Sequence, residues 1–159
     1  MDHQLWDQVQ FVRGQTLKLI DGISETDADR VPEGFRNSPR WHFGHVYVVL
    51  ERFAFRHLKL PEQYPEGYRE AFETGTSPLD ANPDAKLPTL PELAERLSDQ
   101  IVRIRAVLGE RLAERIEPPY VTGSGKSLAT PEEFLSFSLY HEGMHIGIIK
   151  CYRRLLAIG

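Results

Sequence analysis

The sequence of 159 residues contains a single cysteine, Cys151, so no disulfide can form within the chain. A disulfide framework, which is typical of small secreted domains, is therefore excluded. No stretch approaches the roughly 20 consecutive apolar residues that a membrane-spanning helix requires. The first residues carry neither a basic leader nor an apolar run, so we expect no signal peptide. Together these absences predict a cytoplasmic protein that does not enter a membrane.

An excess of basic residues is also lacking. The 19 lysines and arginines are outnumbered by 23 acidic residues, which gives a net charge of -4. Such a chain has no general attraction for nucleic-acid phosphates or anionic lipids, so we expect a small-molecule partner rather than nucleic acid. The hydrophobic fraction of 41% is ordinary for a globular protein and suits one compact domain over residues 1–159.

Prolines and glycines cluster in residues 31–39, 60–88 and 117–125 and leave four longer segments between them. We predict helices over about 2–23, 39–59, 89–108 and from 130 to the C-terminus, with one further helical turn at 24–27. Three of the helices begin with a capping residue followed by proline, at Ser38-Pro39, Thr89-Leu90-Pro91-Glu92 and Thr130-Pro131-Glu132-Glu133.

The predicted fold is all-α, because no segment shows the sustained alternation of a strand. Short loops make antiparallel neighbours, but the connection between the second and third helices is unusually long. This connection contains Tyr64, Tyr68 and Phe72, which indicates that it packs against the helices. The pattern therefore predicts a four-helix bundle with a long crossover between helices 2 and 3.

The last helix carries His141 and His145 on one face, because residues four apart in a helix project in the same direction. Neutral imidazole is a good ligand for zinc, nickel, copper or iron, so the two rings form a candidate chelating pair. The alternative is two core histidines bonded to polar neighbours. This face is expected to point into the bundle, because it is otherwise apolar or aromatic within about 40° of His141: Phe134, Phe137, Ile148, Tyr152 and Leu155.

The spelling His-Glu-x-x-His at residues 141–145 is that of the zincin proteases, in which the glutamate is the general base. Those enzymes commonly take their third ligand from downstream. No histidine, aspartate or glutamate follows His145, which disfavours a protease. We therefore do not assign Glu142 the role of a zincin base.

A third ligand must come from upstream, where His3, His42, His45 and His57 are available. His45 lies on an apolar face of the second helix and is preferred. His42 lies about 60° away from it and is the runner-up, or a residue that supports a ligand. His3 and His57 lie near segment ends, where we expect exposed histidines.

The residues just described resemble the DinB/YfiT-like superfamily of metalloenzymes over nearly the whole chain. The resemblance implies a four-helix bundle with a long crossover, commonly a homodimer, and a three-histidine site for nickel or zinc. The family's ligand motif maps onto His45, His141 and His145. The matching stretches are Pro32-Glu33-Gly34-Phe35, Ser38-Pro39, Trp41-x-x-x-His45, Pro88-Thr89-Leu90-Pro91-Glu92-Leu93 and His141-x-x-x-His145 with Gly147.

Relatives implied by this resemblance include thiol transferases that use bacillithiol, an isomerase that uses mycothiol and metal-dependent hydrolases. Three protein ligands leave a metal with open positions, which is the catalytic arrangement. Such a metal either holds a substrate sulfur as thiolate or lowers the pKa of a bound water. The resemblance favours a thiol-dependent S-transferase with a low-molecular-weight thiol as co-substrate. The alternatives are a hydrolase and a non-catalytic metal- or ligand-binding bundle.

Further residues receive roles around this site. Arg52 lies about 20° from His45 around the helix, where it is expected to clamp the carboxylate of a thiol or to extend towards solvent. We expect Trp41 to contact substrate, and His42 and Glu142 to support the ligands. Cys151, about 80° from the histidine face, is interpreted as a buried packing residue. Residues 123–127 are interpreted as a turn rather than a phosphate loop. Arginines that alternate with acids on the third helix are interpreted as a solvated face: Arg103, Arg105, Arg111 and Arg115.

Overall fold

The computed structural model describes residues 2–82 and 84–158. Within these ranges four long helices and two short ones follow one another along the chain. None of the described helices is both long enough and apolar enough to cross a membrane. The helices are α1 (Asp2–Ile20), α2 (Glu25–Ala28), α3 (Pro39–Phe55), α4 (Tyr68–Phe72), α5 (Leu90–Leu108) and α6 (Pro131–Leu155).

The long helices form a bundle in which α3 packs against α5 and α6, and α1 packs against the same two helices. Helix α3 is the central element, because almost every residue from Pro39 to Phe55 is buried. Helix α5 is amphipathic and turns one apolar stripe inward, from Leu93 through Leu97 and Ile101 to Ile104. The all-α prediction is confirmed.

Capping side chains explain where α5 and α6 begin. The Thr89 hydroxyl accepts a hydrogen bond from the Glu92 backbone N–H, and the Glu92 carboxylate accepts one from the Thr89 N–H, so the predicted capping box is complete. At α6 the Thr130 hydroxyl accepts from the Glu133 N–H at 3.2 Å. The Glu133 carboxylate instead accepts from the Ala129 N–H at 2.5 Å, so the box predicted there is only half formed.

The long connection lies against α3, as its aromatic content predicted. It contains α4 and a single 3₁₀ turn at Pro78–Asp80, and another 3₁₀ turn at Arg56–Leu58 extends the end of α3. Tyr68 and Phe72 of α4 are 5% and 2% exposed and join the main apolar cluster of the bundle. The α4 part of the connection therefore packs into the core of the bundle.

A two-stranded antiparallel hairpin joins α5 to α6, with β1 (Tyr120–Val121) paired to β2 (Ser127–Leu128). The expected turn at residues 123–127 provides its tip, where Gly125 has a φ of +86° that favours glycine. The strands are only two residues long, which is too short for the alternation by which strands are recognised. Its two strands are the only ones among the described residues.

A chain of buried polar side chains crosses the bundle and was not predicted. On α1, Arg13 donates to both oxygens of Glu142 on α6 at 2.9 and 3.1 Å and to Gln100 on α5 at 3.2 Å. Gln100 in turn donates to Glu51 on α3 at 3.0 Å. Arg103 completes the chain, since it donates to Glu51 at 2.6 and 3.0 Å. The interpretation of Arg103 as part of a solvated face was wrong.

Two predictions about α6 were also wrong. Leu155 is 61% exposed, so the inward stripe of this helix ends one turn earlier, at Tyr152. Cys151 is exposed rather than buried. Both residues lie in the last two turns of the helix, whose buried side carries Ile149 and Tyr152.

Candidate metal centre

His45 of α3 and the pair His141 and His145 of α6 meet between the two helices. Their ring nitrogens offer one ligand atom each, all within 4.8 Å of one another. The Nε2 atoms of His141 and His145 are 3.2 Å apart. His45 and His145 are buried, whereas His141 is half-buried, so the cluster reaches the surface at the His141 edge.

All three rings are neutral at pH 7, which is the form that binds a metal. Burial, together with the neighbouring histidines, lowers the pKa of His141 to about 3 and that of His145 to about 2. Burial also lowers the pKa of His45, and the hydrogen bond to a backbone carbonyl acts in the opposite direction. The donor set of three neutral imidazoles without a carboxylate fits nickel or zinc.

The tautomer of His45 is fixed by the long connection. Its Nδ1–H donates a hydrogen bond of 2.7 Å to the backbone carbonyl of Phe72. Because a carbonyl oxygen can only accept, the proton of the neutral ring lies on Nδ1 and the lone pair on Nε2. Metal-binding histidines are commonly oriented in this way by a partner of the second nitrogen. The connection therefore takes part in the site.

A glycine makes this contact with the connection possible. An ideal Cβ on Gly44 would lie 2.4 Å from the Phe72 ring, so no larger residue fits under that ring as it stands. Neither Gly44 nor Phe72 was assigned to the site from the sequence. A signal was present, since a glycine inside a helix costs stability and marks a close approach when it has no capping role.

Trp41 packs on the face of the His45 ring. The two rings are stacked, with centroids 4.4 Å apart and planes at 13°. The indole Nε1–H donates to the Thr76 hydroxyl at 2.9 Å, and that hydroxyl bonds to the backbone of the connection. Trp41 thus holds His45 in place, and its contact with substrate stays a prediction.

His42 lies behind His145. The Nδ1 atoms of these two rings are 2.8 Å apart, and His42 is only 3% exposed. Within the described residues its Nε2 atom has no hydrogen-bond partner. The supporting role expected of His42 from the sequence stays a prediction.

Arg52 provides a positive charge beside the cluster. Its guanidinium lowers the pKa of His45 and His141, although burial has the larger effect on both. The guanidinium forms an ion pair with Glu73 of the connection, and the side chain is 18% exposed. Arg52 Nε lacks a hydrogen-bond partner among the residues described. The clamp role of Arg52 stays a prediction.

Glu142 faces away from the histidines, towards α1. Its carboxylate is bonded to Arg13, and the Thr16 hydroxyl donates to it at 2.6 Å. None of the hydrogen bonds described for Glu142 reaches a ring of the cluster. The supporting role expected of Glu142 stays a prediction.

His57 lies outside the cluster. His57 was expected to be exposed but is half-buried, with its ring stacked on Phe134 at a centroid distance of 4.8 Å. The side chain of His3 lies outside the part of the chain that is described. His57 therefore does not contribute to the candidate centre.

Three neutral histidines lie close together within a helical bundle. This arrangement fits the class of metal-binding helical proteins. Residues 8–149 match the family model of the DinB superfamily. The chain belongs to the DinB superfamily, which confirms the resemblance inferred from its motifs. The match includes the three candidate ligands, His45, His141 and His145, and also Trp41, which stacks on His45.

A solved structure of similar fold is the crystal structure of a conserved protein from Enterococcus faecalis. The TM-score is 0.65 at 14% sequence identity, over 98% of this chain and 96% of that chain. This likeness shows the fold alone. No significant match was found among curated proteins.

Proposed function

We propose that this chain is a metal-dependent thiol S-transferase that uses a low-molecular-weight thiol of the bacillithiol or mycothiol type. The observation that carries the proposal is the cluster of His45, His141 and His145, with its half-exposed edge at His141. Bound nickel or zinc would be held by these three rings and would supply Lewis-acid chemistry that favours the thiolate form of a thiol. In the transfer the thiol loses its proton, its sulfur bonds to an electrophilic carbon, and the leaving group departs with the electrons of the broken bond.

The surroundings of the cluster favour a transferase over a hydrolase. In zincin-type hydrolysis a carboxylate takes the proton of the metal-bound water, and the carboxylate within the zincin-like spelling, Glu142, is buried against Arg13 and Thr16. Glu73, on the connection, is already paired with Arg52. A thiol, with a pKa of about 8.5, is already partly ionised near neutral pH, whereas water reaches a pKa of about 7 from 15.7 only when it is bound to the metal.

The same surroundings favour catalysis over storage. A closed structural site surrounds its metal with four protein ligands, whereas the described part of the chain gathers three here. His141 is half-buried, so a small substrate has an approach from its side. Arg52 would bind the carboxylate of the thiol there by exchanging the carboxylate of Glu73 for that of the substrate.

We propose a homodimer, which light scattering would show as twice the chain mass of 18.2 kDa.

Elemental analysis of protein dialysed after loading with nickel or zinc tests the metal site. We expect close to one metal ion per chain in the wild type and loss of that metal in His145→Ala. His57→Ala is the matched control, because it removes a half-buried histidine outside the cluster and should keep the metal. A wild type without retained metal, or a His145→Ala variant that retains it, would contradict the proposal.

The reaction is tested separately with the loaded wild type. Consumption of a small thiol is followed in the presence of an aryl halide, and an ester serves as the substrate for hydrolysis. We expect metal-dependent loss of thiol that His145→Ala abolishes. Metal-dependent cleavage of the ester without consumption of thiol would instead establish the hydrolase.

A further inference from the structure

We infer that His42 is a positioning residue that holds His145 in the tautomer required of a metal ligand. The inference rests on the proposed metal site and assigns a role to a residue outside the ligand set. It is carried by the 2.8 Å contact between the Nδ1 atoms of the two rings. Both rings are buried, at 3% exposure for His42 and 8% for His145, so water does not compete freely for this bond.

With a metal held by Nε2 of His145, this contact would fix the positions of the protons. Of two nitrogens at this distance, one must carry a hydrogen and the other must accept it. On the far side of its ring, His145 Nε2 lies 3.2 Å from His141 Nε2, within the cluster, so Nε2 is the atom that would bind the metal. The single hydrogen of neutral His145 then lies on Nδ1 and is donated to Nδ1 of His42. His42 carries its own hydrogen on Nε2.

His42 is well suited to accept this bond. At 3% exposure a charged ring is disfavoured, and a neutral imidazole keeps one bare nitrogen that can accept a hydrogen bond. Among the described residues nothing is bonded to its Nε2, so no group on that side demands the opposite tautomer. Trp41 and Tyr152 pack edge-on against the ring, with centroids 5.3 and 5.2 Å away, and hold its orientation.

The arrangement parallels the one at His45, whose outer nitrogen is held by the Phe72 carbonyl. His42 and His45 are three residues apart and therefore neighbours on one face of α3. One of them offers its free nitrogen to the cluster, and the other supports a ligand on α6. Two of the three ligands are thus oriented from behind, by a backbone carbonyl and by a fourth histidine.

Two variants of similar shape separate acceptance of the bond from packing. The amide oxygen of His42→Asn can accept the hydrogen of His145, whereas the methyl groups of His42→Leu cannot. Zinc affinity, measured by competition with a chelator, should fall about 10–100-fold in the leucine variant, as is usual when a supporting partner of a metal ligand is lost. The asparagine variant should stay within a few-fold of the wild type. Equal affinity of the leucine variant and the wild type, or equal weakness of both variants, would overturn the inference.

Long-range proton–nitrogen NMR correlations of the zinc-loaded wild type provide a second measurement that does not depend on a variant. We expect the ring proton of His145 on Nδ1 and that of His42 on Nε2; the reverse assignment at His42 would also overturn the inference. Thermal unfolding of metal-free protein checks that each variant folds, and the NMR result decides if the leucine variant does not. A wild type that binds no zinc refutes the metal site itself, whereas full zinc binding by the leucine variant refutes only the role of His42.

Discussion

Replacement of Gly44 by alanine tests whether the connection takes part in the metal centre. The added Cβ would lie 2.4 Å from the Phe72 ring, and carbon atoms in contact are normally about 3.5–4.0 Å apart. The ring must therefore move by roughly 1 Å or more. Because the carbonyl of the same residue accepts the His45 hydrogen bond at 2.7 Å, a shift of this size in the backbone would break that bond.

Two opposing terms decide the effect on stability. Alanine is favoured over glycine inside a helix by about 1 kcal/mol. Crowding of a well-packed core costs about 1–3 kcal/mol, and Phe72 is only 2% exposed. We therefore expect Gly44→Ala to change the free energy of unfolding by between zero and about 2 kcal/mol in the destabilising direction. Zinc affinity should fall about 10–100-fold, because His45 loses the partner that fixes its tautomer.

Chelator competition measures the affinity, and urea unfolding of the metal-free protein measures the stability. Gly14→Ala is the matched control, since Gly14 also lies inside a long helix but an added Cβ there would meet nothing within 4 Å. The control should gain about 1 kcal/mol of stability and keep its zinc affinity. A Gly44→Ala variant that behaves like this control in both measurements would refute the reasoning.

Three further predictions concern ionisable side chains in and around the bundle core. Glu142→Gln leaves Arg13 unpaired in the core and should lower the free energy of unfolding in urea by about 3–5 kcal/mol without changing the metal content of folded protein; unchanged stability with lost metal would contradict this. Arg52→Ala should raise the KM for a carboxylate-bearing thiol about tenfold while the metal stays bound, and an unchanged KM would refute the clamp. The pKa of the cluster histidines lies below the unfolded value of about 6.5, so metal-free protein should keep its full stability above pH 6.5 and lose about 2 kcal/mol per neutral histidine by pH 5. His141→Gln should reduce that slope by about one proton, and a flat profile between pH 7 and pH 5 would contradict burial of neutral rings.

The parts of the fold that depend on local chemistry could be predicted from the sequence. Thr89 with Glu92 marked the beginning of α5, because capping involves residues only three apart. The inward face of His141 and His145 followed from helical periodicity for the same reason. His45 required a preference among several upstream histidines, since no local rule states which residue of α3 meets α6.

Contacts between distant segments could not be predicted. The carbonyl that holds His45 belongs to Phe72, and backbone atoms carry no sequence signature. Arg103 was placed in a solvated face because it alternates with acids, but its partner Glu51 lies 52 positions away. One signal was overlooked in this case: Gln100 is a polar residue beside the apolar positions of the α5 stripe, and it is 1% exposed. A buried glutamine requires partners, which should have raised the possibility of a polar chain.

The difference between His141 and Glu142 illustrates why a local spelling does not determine a role. Adjacent residues of a helix point about 100° apart, so one of this pair faces α3 and the other α1. A glutamate side chain is long enough to turn back towards a neighbouring metal, as the zincin spelling requires. Here Arg13 and Thr16 of α1 hold its carboxylate, so breaking the pair should affect the stability of the bundle rather than the metal centre. The role of Glu142 thus depends on two residues more than 120 positions away, in a helix that the motif does not mention.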